Sequence, residues 1–379
     1  MDPRKRLRLA TCWCPLLELP RDAIGEIASW LYVGEILNWR KCSKTLHRLP
    51  DEYGFWKTIH FGGRHLYVPG LPEMISANTT HLAPRFSTKQ DCMNFLTKLP
   101  ICVGLMMLDL SQCELSPVGC STVASALPGF KSLTTLDLKH TGIGGNGCSA
   151  LAAALPNTHV TTLNLSENQI GFAGCPALAA ALPNTHITTL NLANNQMGSA
   201  GCSALADALP NAHIATLSLS RNEIDDNGYL VLIDALPNTH ITTLDLTGIK
   251  IDFVGCSALA KALPNTHITT LGLSDNQIDS DGCSALADAL PNTHITTLDL
   301  SENQIDFVGC SALAGALPNT MITNLDLGWN KIHDTGCLAL AVALPNTHLK
   351  TLNLIWNQIS HDGDSVLRNS KSSTHLVLG

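Results

Sequence analysis

Apolar positions recur along the chain with one long period. Leucines separated by a single residue stand at Leu108/Leu110, Leu136/Leu138, Leu163/Leu165, Leu190/Leu192, Leu217/Leu219, Leu244/Leu246, Leu271/Leu273, Leu298/Leu300, Leu325/Leu327 and Leu352/Leu354. The first step is 28 residues and every later one is 27. Each period holds two shorter rhythms. Ile187-Thr-Thr-Leu190-Asn-Leu192 alternates apolar and polar, the pattern of a half-buried strand. Cys202, Leu205, Ala206 and Leu209 follow at i, i+3, i+4 and i+7, one apolar stripe on a helix. Ser199, Asp226, Ser280 and Asp334 fall where an N-cap is expected, ahead of the Gly-Cys or Gly-Tyr step. Pro210 is expected to end its helix at Leu209, because proline disfavours helical geometry in the residue before it. Asn195 and its equivalents Asn168, Asn222, Asn276, Asn303, Asn330 and Asn357 stand where a side-chain amide can bond the turn and the next repeat. That ladder is interrupted at Cys113, Thr141 and Ile249.

No single unit can bury its own leucines, so units of this period must stack into a solenoid. Strands sit about 4.8 Å apart and helices about 8–10 Å apart, so the stack curves with strands inside and helices outside. The pattern LxLxxNxIxxxGxxALAxAL over about 105–360 resembles the ribonuclease-inhibitor-like leucine-rich repeats, also found in NOD-like receptors. The resemblance implies an α/β fold, a leucine-rich-repeat horseshoe with parallel concave strands and convex helices. It leaves the ligand open, because one fold serves many partners.

The N-terminal sequence has a different texture. Residues 1–15 read as a basic flexible tail, since the apolar stretch there is broken by Arg8 and Thr11 and is too short for a signal peptide. In 16–61, Ile24, Ile27 and Leu31 share one helical face and Gly34 breaks the helix. Ile36 and Leu37 open a second, and Leu46 and Leu49 sit on a third ahead of Trp56. Leu19-Pro20, the Ile24–Leu31 helix, Cys42-Ser43-Lys44 and Trp56 together resemble an F-box, a small all-α module. The resemblance implies docking onto the Skp-family adaptor of a cullin–RING ubiquitin ligase. Leu19, Pro20, Ile24, Ile27, Leu31, Ile36, Leu37 and Trp56 are the matching adaptor-binding positions. The residues alone also allow a helical cap on the solenoid. Residues 62–88, rich in Gly and Pro, read as a connector. The repeat domain is expected over 89–379. Cys92, Phe95, Leu96 and Leu99-Pro100 are in phase with a repeat helix and imply a half-repeat near 81–107. Ten strand repeats follow, then a polar cap with Asp364 in the cysteine's place, and His375–Leu378 as a last edge strand.

Composition narrows the function. Net charge is −8, which argues against nucleic acid as a partner, and no apolar run is long enough to span a membrane. Eight of the fourteen cysteines recur once per repeat, from Cys120 to Cys337, on the buried start of each helix. Helices about 8–10 Å apart cannot be joined by a bond that needs Cα atoms within about 7 Å, so the cysteines are small hydrophobes. Free thiols in this number imply a reducing compartment, cytoplasm or nucleus, or host cytoplasm for a secreted bacterial effector. The chain shows no P-loop, GxSxG, HExxH or Cys/His ligand cluster, so no enzyme activity, cofactor or metal is expected. The histidine ladder (His159, His186, His213, His240, His267, His294, His348) reads as solvated turn residues copied with the repeat.

The inner face is where the repeats differ. Its candidate contacts for a protein substrate are Arg221, Asp245, Asp275, Asp299, Glu302, Asp326, Trp329 and Trp356. The acidic strip favours a basic partner, and large exposed aromatics favour hot spots. The aspartates are equally read as generic solvated residues of the repeat. The expectation is the substrate-recognition subunit of a Skp–cullin–F-box type ubiquitin ligase, monomeric apart from its complex. The alternative is a ligase-independent binding or inhibitory solenoid with 16–61 as its cap.

Overall fold

The computed structural model describes residues 58–60, 80–83, 92, 104–370 and 373–378. The tail, the positions Leu19 to Trp56 matched to the F-box, and the half-repeat residues Phe95, Leu96, Leu99 and Pro100 lie outside the described residues. Among the described residues, one parallel sheet of thirteen strands runs in strict sequence order. The strands are β1 (Thr58–His60), β2 (His81–Ala83), β3 (Met107–Asp109), β4 (Thr135–Asp137), β5 (Thr162–Asn164), β6 (Thr189–Asn191) and β7 (Thr216–Ser218). They continue with β8 (Thr243–Asp245), β9 (Thr270–Gly272), β10 (Thr297–Asp299), β11 (Asn324–Asp326), β12 (Thr351–Asn353) and β13 (His375–Val377). From β3 onward each strand is followed by a helix: α1 (Ser116–Ala126), α2 (Gly144–Ala154), α3 (Gly171–Ala181), α4 (Gly198–Ala208) and α5 (Asp226–Ala235). The series ends with α6 (Phe253–Ala262), α7 (Ser280–Ala289), α8 (Phe307–Ala316), α9 (Asp334–Ala343) and α10 (His361–Asn369). The sheet therefore starts earlier than a boundary at residue 89. β1 falls in the stretch matched to the F-box, and β2 falls in the expected connector. At the other end β13 pairs with β12, as the edge-strand reading required.

Register explains the core. The first leucine of each pair lies beside that of the next repeat, Leu108 by Leu136, Leu163 by Leu190, Leu298 by Leu325. These columns are fully buried, with Ile170, Met197, Ile224 and their equivalents below them. The ten cysteines among the described residues are free and buried. Several thiols donate to the next repeat, Cys120 Sγ to Gly147 O at 3.3 Å and Cys202 Sγ to Gly228 O at 3.3 Å. The glycine before each cysteine is what lets helices approach this closely. A Cβ on Gly174 would lie 2.9 Å from the Gly145 Cα of the preceding helix.

The asparagine ladder is built as the spacing requires. Asn195 Nδ2 donates to Leu165 O at 2.9 Å and Leu192 O at 3.0 Å, while its Oδ1 accepts from Asn168 N at 3.0 Å. At Thr141 a hydroxyl takes over, donating to Leu138 O at 2.7 Å. Ile249 is buried and offers no polar atom, so the oxygen that would accept from the Asn222 and Ile224 N–H groups is absent there. The same level is irregular on the outside. Tyr229 stands in the cysteine's place and donates to Asp252 Oδ1 at 3.1 Å, and a groove of about 400 Å³ opens between α5 and α6.

Two expectations about helix ends are corrected. Leu209 is not forced out of helical geometry by Pro210: its φ/ψ is −56°/−40°. The α-helix passes into a 3-10 turn, Leu209–Asn211, whose first turn tolerates a residue without an N–H, and the chain turns extended only at Ala212. The N-caps lie one residue before Asp226, Ser280 and Asp334 and two before Ser199. Asp225, Asp252, Asp279 and Asp306 cap α5 to α8, with Asp279 Oδ1 accepting from Gly282 N at 2.9 Å. Ser199 and Ser280 instead donate to the neighbouring caps Asp225 and Asp306, and Asp334 accepts from Ser360 Oγ at 2.6 Å. α2 to α4 have no side-chain cap. They begin at Gly144, Gly171 and Gly198, whose φ values are 57°, 61° and 59°.

Candidate functional site: the concave face

Each strand leaves the sheet through the same turn, and this turn creates the candidate site. Where it is an aspartate or asparagine, the residue between the leucines folds its side chain back onto the backbone two places on. Asp245 Oδ1 accepts from Thr247 N at 3.0 Å, Asp299 Oδ1 from Ser301 N at 2.9 Å, and Asp326 Oδ1 from Gly328 N at 2.8 Å. The next residue then sends its N–H to the following repeat, as Arg221 N does to Thr247 O and Trp329 N to Ile355 O, both at 2.8 Å. That residue is left-handed in every repeat from β3 to β12. Gln112, His140, Glu167, Asn194, Arg221, Gly248, Asp275, Glu302, Trp329 and Trp356 all have φ between 53° and 68°. This geometry suits glycine or asparagine and costs other residues roughly 1–2 kcal/mol. Only Gly248 and Asn194 follow the backbone's preference; the other eight rungs carry side chains that the fold does not ask for.

The expected substrate contacts thus divide. Arg221, Asp275, Glu302, Trp329 and Trp356 belong to the left-handed row and are exposed. Asp245, Asp299 and Asp326 are half-buried and already engaged. Besides its backbone bond, Asp245 accepts from Ser218 Oγ at 2.7 Å, and Asp326 accepts from Asn353 Nδ2 at 2.9 Å. Their visible task is to shape the turn that presents the row.

Three contacts form within the row. Trp329 and Trp356 stack, with ring centroids 4.9 Å apart and planes 27° apart. Stacking does not hide them: they remain 53% and 66% exposed. Arg221 reaches across the gap at Gly248 to Asp275, Nη2 to Oδ2 at 3.3 Å. A Cβ at Gly248 would lie 2.8 Å from Arg221 Cγ, so the missing side chain is what lets charges two repeats apart meet. At the N-terminal end Glu167 takes Lys139 at 3.0 Å and His140 at 3.3 Å. The Lys139 bond is the main cause holding the Glu167 carboxyl below its ordinary value.

The buried thiols are poor nucleophiles. Burial pushes Cys120, Cys202 and Cys256 up to about 12. Among the described residues, no three His, Cys, Asp or Glu side chains converge as a metal set, and no helix is long and apolar enough to cross a membrane.

A Leucine Rich repeat family model matches 131–152, 157–179, 184–206, 211–232, 238–260, 265–287, 292–314, 319–341 and 346–363, more than half of the chain. The chain belongs to the leucine-rich repeat family. Among solved structures it is similar to the leucine-rich repeat-containing protein LegL7 from Legionella pneumophila. The identity is 21% and the TM-score 0.48, covering 76% of this chain and 95% of the other. It is also similar to the internalin InlF from Listeria monocytogenes, at 16% identity and TM-score 0.44, covering 80% of this chain and 81% of the other. No curated protein matches.

Reasoning from sequence placed the leucine-rich repeat's variable positions on one face. It missed the Lys139–His140–Glu167 group and the role of Gly248. Glycine in a row otherwise filled by large side chains was the available signal. The left-handed geometry itself left only Gly248 and Asn194 as traces.

Proposed function

We propose that this leucine-rich-repeat chain is a non-catalytic recognition subunit. Its concave row holds a protein, and residues 16–61 dock the Skp-family adaptor of a cullin–RING ubiquitin ligase. The observation that carries the recognition half is the exposed, stacked pair Trp329 and Trp356, held left-handed against the preference of the backbone. The adaptor half is supported by the order Leu19-Pro20, Ile24–Leu31, Cys42-Ser43-Lys44, Trp56 ahead of the repeats. The work of such a subunit is proximity: it raises the effective concentration of substrate lysines at a ubiquitin-loaded enzyme. Ten buried free thiols support a reducing compartment, cytoplasm or nucleus.

The test is a pull-down of the full chain with a purified Skp-family adaptor, wild type beside Leu19→Ala/Pro20→Ala. Binding by wild type, lost in the variant while circular dichroism is unchanged, supports the ligase reading. Wild type that is folded and does not bind removes it, and leaves the second reading, a ligase-independent binding solenoid capped by 16–61.

A further inference from the structure

We infer that the tryptophan pair is a seat for an arginine side chain of the bound protein. The inference rests on the concave-face reading above and names the chemistry of what is held there.

The left-handed row ends, repeat by repeat, in Asp275, Glu302, Trp329 and Trp356. Backbone bonds lock these rungs in succession: Asp275 N to Ser301 O at 3.1 Å, Glu302 N to Gly328 O at 2.9 Å and Trp329 N to Ile355 O at 2.8 Å. Neighbouring rungs are therefore about one strand spacing apart, about 4.8 Å. Two indoles tilted 27° to each other give a broad π surface, open to solvent by more than half on each ring. An indole face attracts cations, and a planar guanidinium can lie on it while its N–H groups point outward to an acceptor. Glu302 is the rung beside Trp329 and is exposed. Asp299 and Asp326, half-buried, add negative charge behind it. Asp275, further along, already holds a guanidinium of this chain, that of Arg221.

The lysines of the same repeats are not rungs of the row. Lys331 Nζ bonds Gln304 Oε1 at 3.5 Å, and Lys350 lies before β12, six residues ahead of Trp356 in the sequence. The patch is therefore aromatic with an anionic flank on one side. An apolar ligand would use the rings and ignore Glu302; an arginine uses both.

The experiment follows the tryptophan indole N–H resonances of the 15N-labelled full chain. Trp329→Phe and Trp356→Phe assign two of the six tryptophans. The probe is the blocked peptide Gly-Arg-Gly-Arg-Gly. Its counterpart carries citrulline, which keeps the shape and loses the charge, and a blocked Gly-Pro-Leu-Pro-Gly serves as an apolar control. The expected result is saturable shifts confined to Trp329 and Trp356 with the arginine peptide, and at least tenfold weaker binding of the citrulline peptide. Glu302→Gln should weaken the arginine peptide about three- to tenfold, and salt should weaken it further. Equal binding of the arginine and citrulline peptides overturns the proposal. So does a response to the apolar peptide alone, which would leave the concave face as a contact surface for a different ligand. Silence of both indoles toward all three peptides overturns the proposal together with the concave-face reading. Adaptor binding, measured separately, is unaffected by any of these results.

Discussion

The repeats before and after Ile249 solve one problem in two ways. A helix start leaves N–H groups without intrahelical acceptors. In the repeats of α2 to α4, glycines at φ 57° to 61° let the helix begin a residue early, giving eleven residues and no side-chain cap. A second left-handed residue precedes α3 and α4, at Gln169 and Gln196. In the repeats of α7 and α8 an aspartate stands where the glycine was. The helix has ten residues, and the carboxylate accepts the first N–H groups. The preceding glutamine is no longer left-handed and bonds back one repeat, Gln304 N to Ile278 O at 2.9 Å. α5 and α6 are hybrids, with an aspartate cap and a left-handed Glu223 or Lys250. They flank the ladder gap at Ile249 and line the groove between them. A single residue type, glycine or aspartate, thus selects the local connection, while the leucine columns pass through unchanged.

The largest expected break of this symmetry lies at the close-packed glycines. Gly174→Ala would set a Cβ 2.9 Å from backbone in the preceding helix, whereas at Gly282 the nearest atom is Cys256 Sγ at 3.2 Å. Gly174→Ala is expected to cost about 1–3 kcal/mol in denaturant unfolding, with Gly282→Ala near neutral. Equal losses would mean that the two halves pack alike.

Exchanging the connection residues gives the next effect. Gly171→Ala forces a Cβ into left-handed backbone and should cost about 1–2 kcal/mol. Asp306→Ala should cost about 1 kcal/mol through the lost cap, and Asp306→Gly only a few tenths. Thermal unfolding of the three variants tests that order.

Acid should separate the halves without mutation. Ser199's hydroxyl, then Gly228 N–H, holds Asp225 below its ordinary value. At Asp306 burial works upward, and the Ser280, Val308 and Gly309 donors outweigh it. A depressed folded value means that this stabilisation is complete above the unfolded value, about pH 4, and fades as pH falls through the folded one. Hydrogen exchange compared between pH 6 and pH 3 should show α5 and α8 losing protection before α2 to α4. Uniform loss would make the caps energetically silent.

The smallest effect is expected at the seam. Ile249→Asn would return an acceptor for Asn222 and Ile224 N–H, and exchange at those two amides should slow. Unchanged exchange would mean that the neighbouring turns had already closed around the gap.

Much of this molecule was legible in the chain. Period, strand and helix order, inward leucines, free buried cysteines and the asparagine ladder follow from spacing, because each repeat meets its copy at a fixed offset. Ser280 misses the cap position by one residue and Ser199 by two, because those hydroxyls serve the neighbouring repeat's cap and not their own helix. Leu209 was misjudged because the 3-10 turn absorbs the proline.

The sequence by itself determined the solenoid and the face on which it varies, since periodic burial is a local property repeated. The tertiary structure alone decided three further things: the left-handed row, the Arg221–Asp275 pair across Gly248, and the commitment of Asp245, Asp299 and Asp326 to their turns. Each depends on bonds within a turn or to residues about 27 or 54 places away, which exist only once neighbouring repeats are stacked.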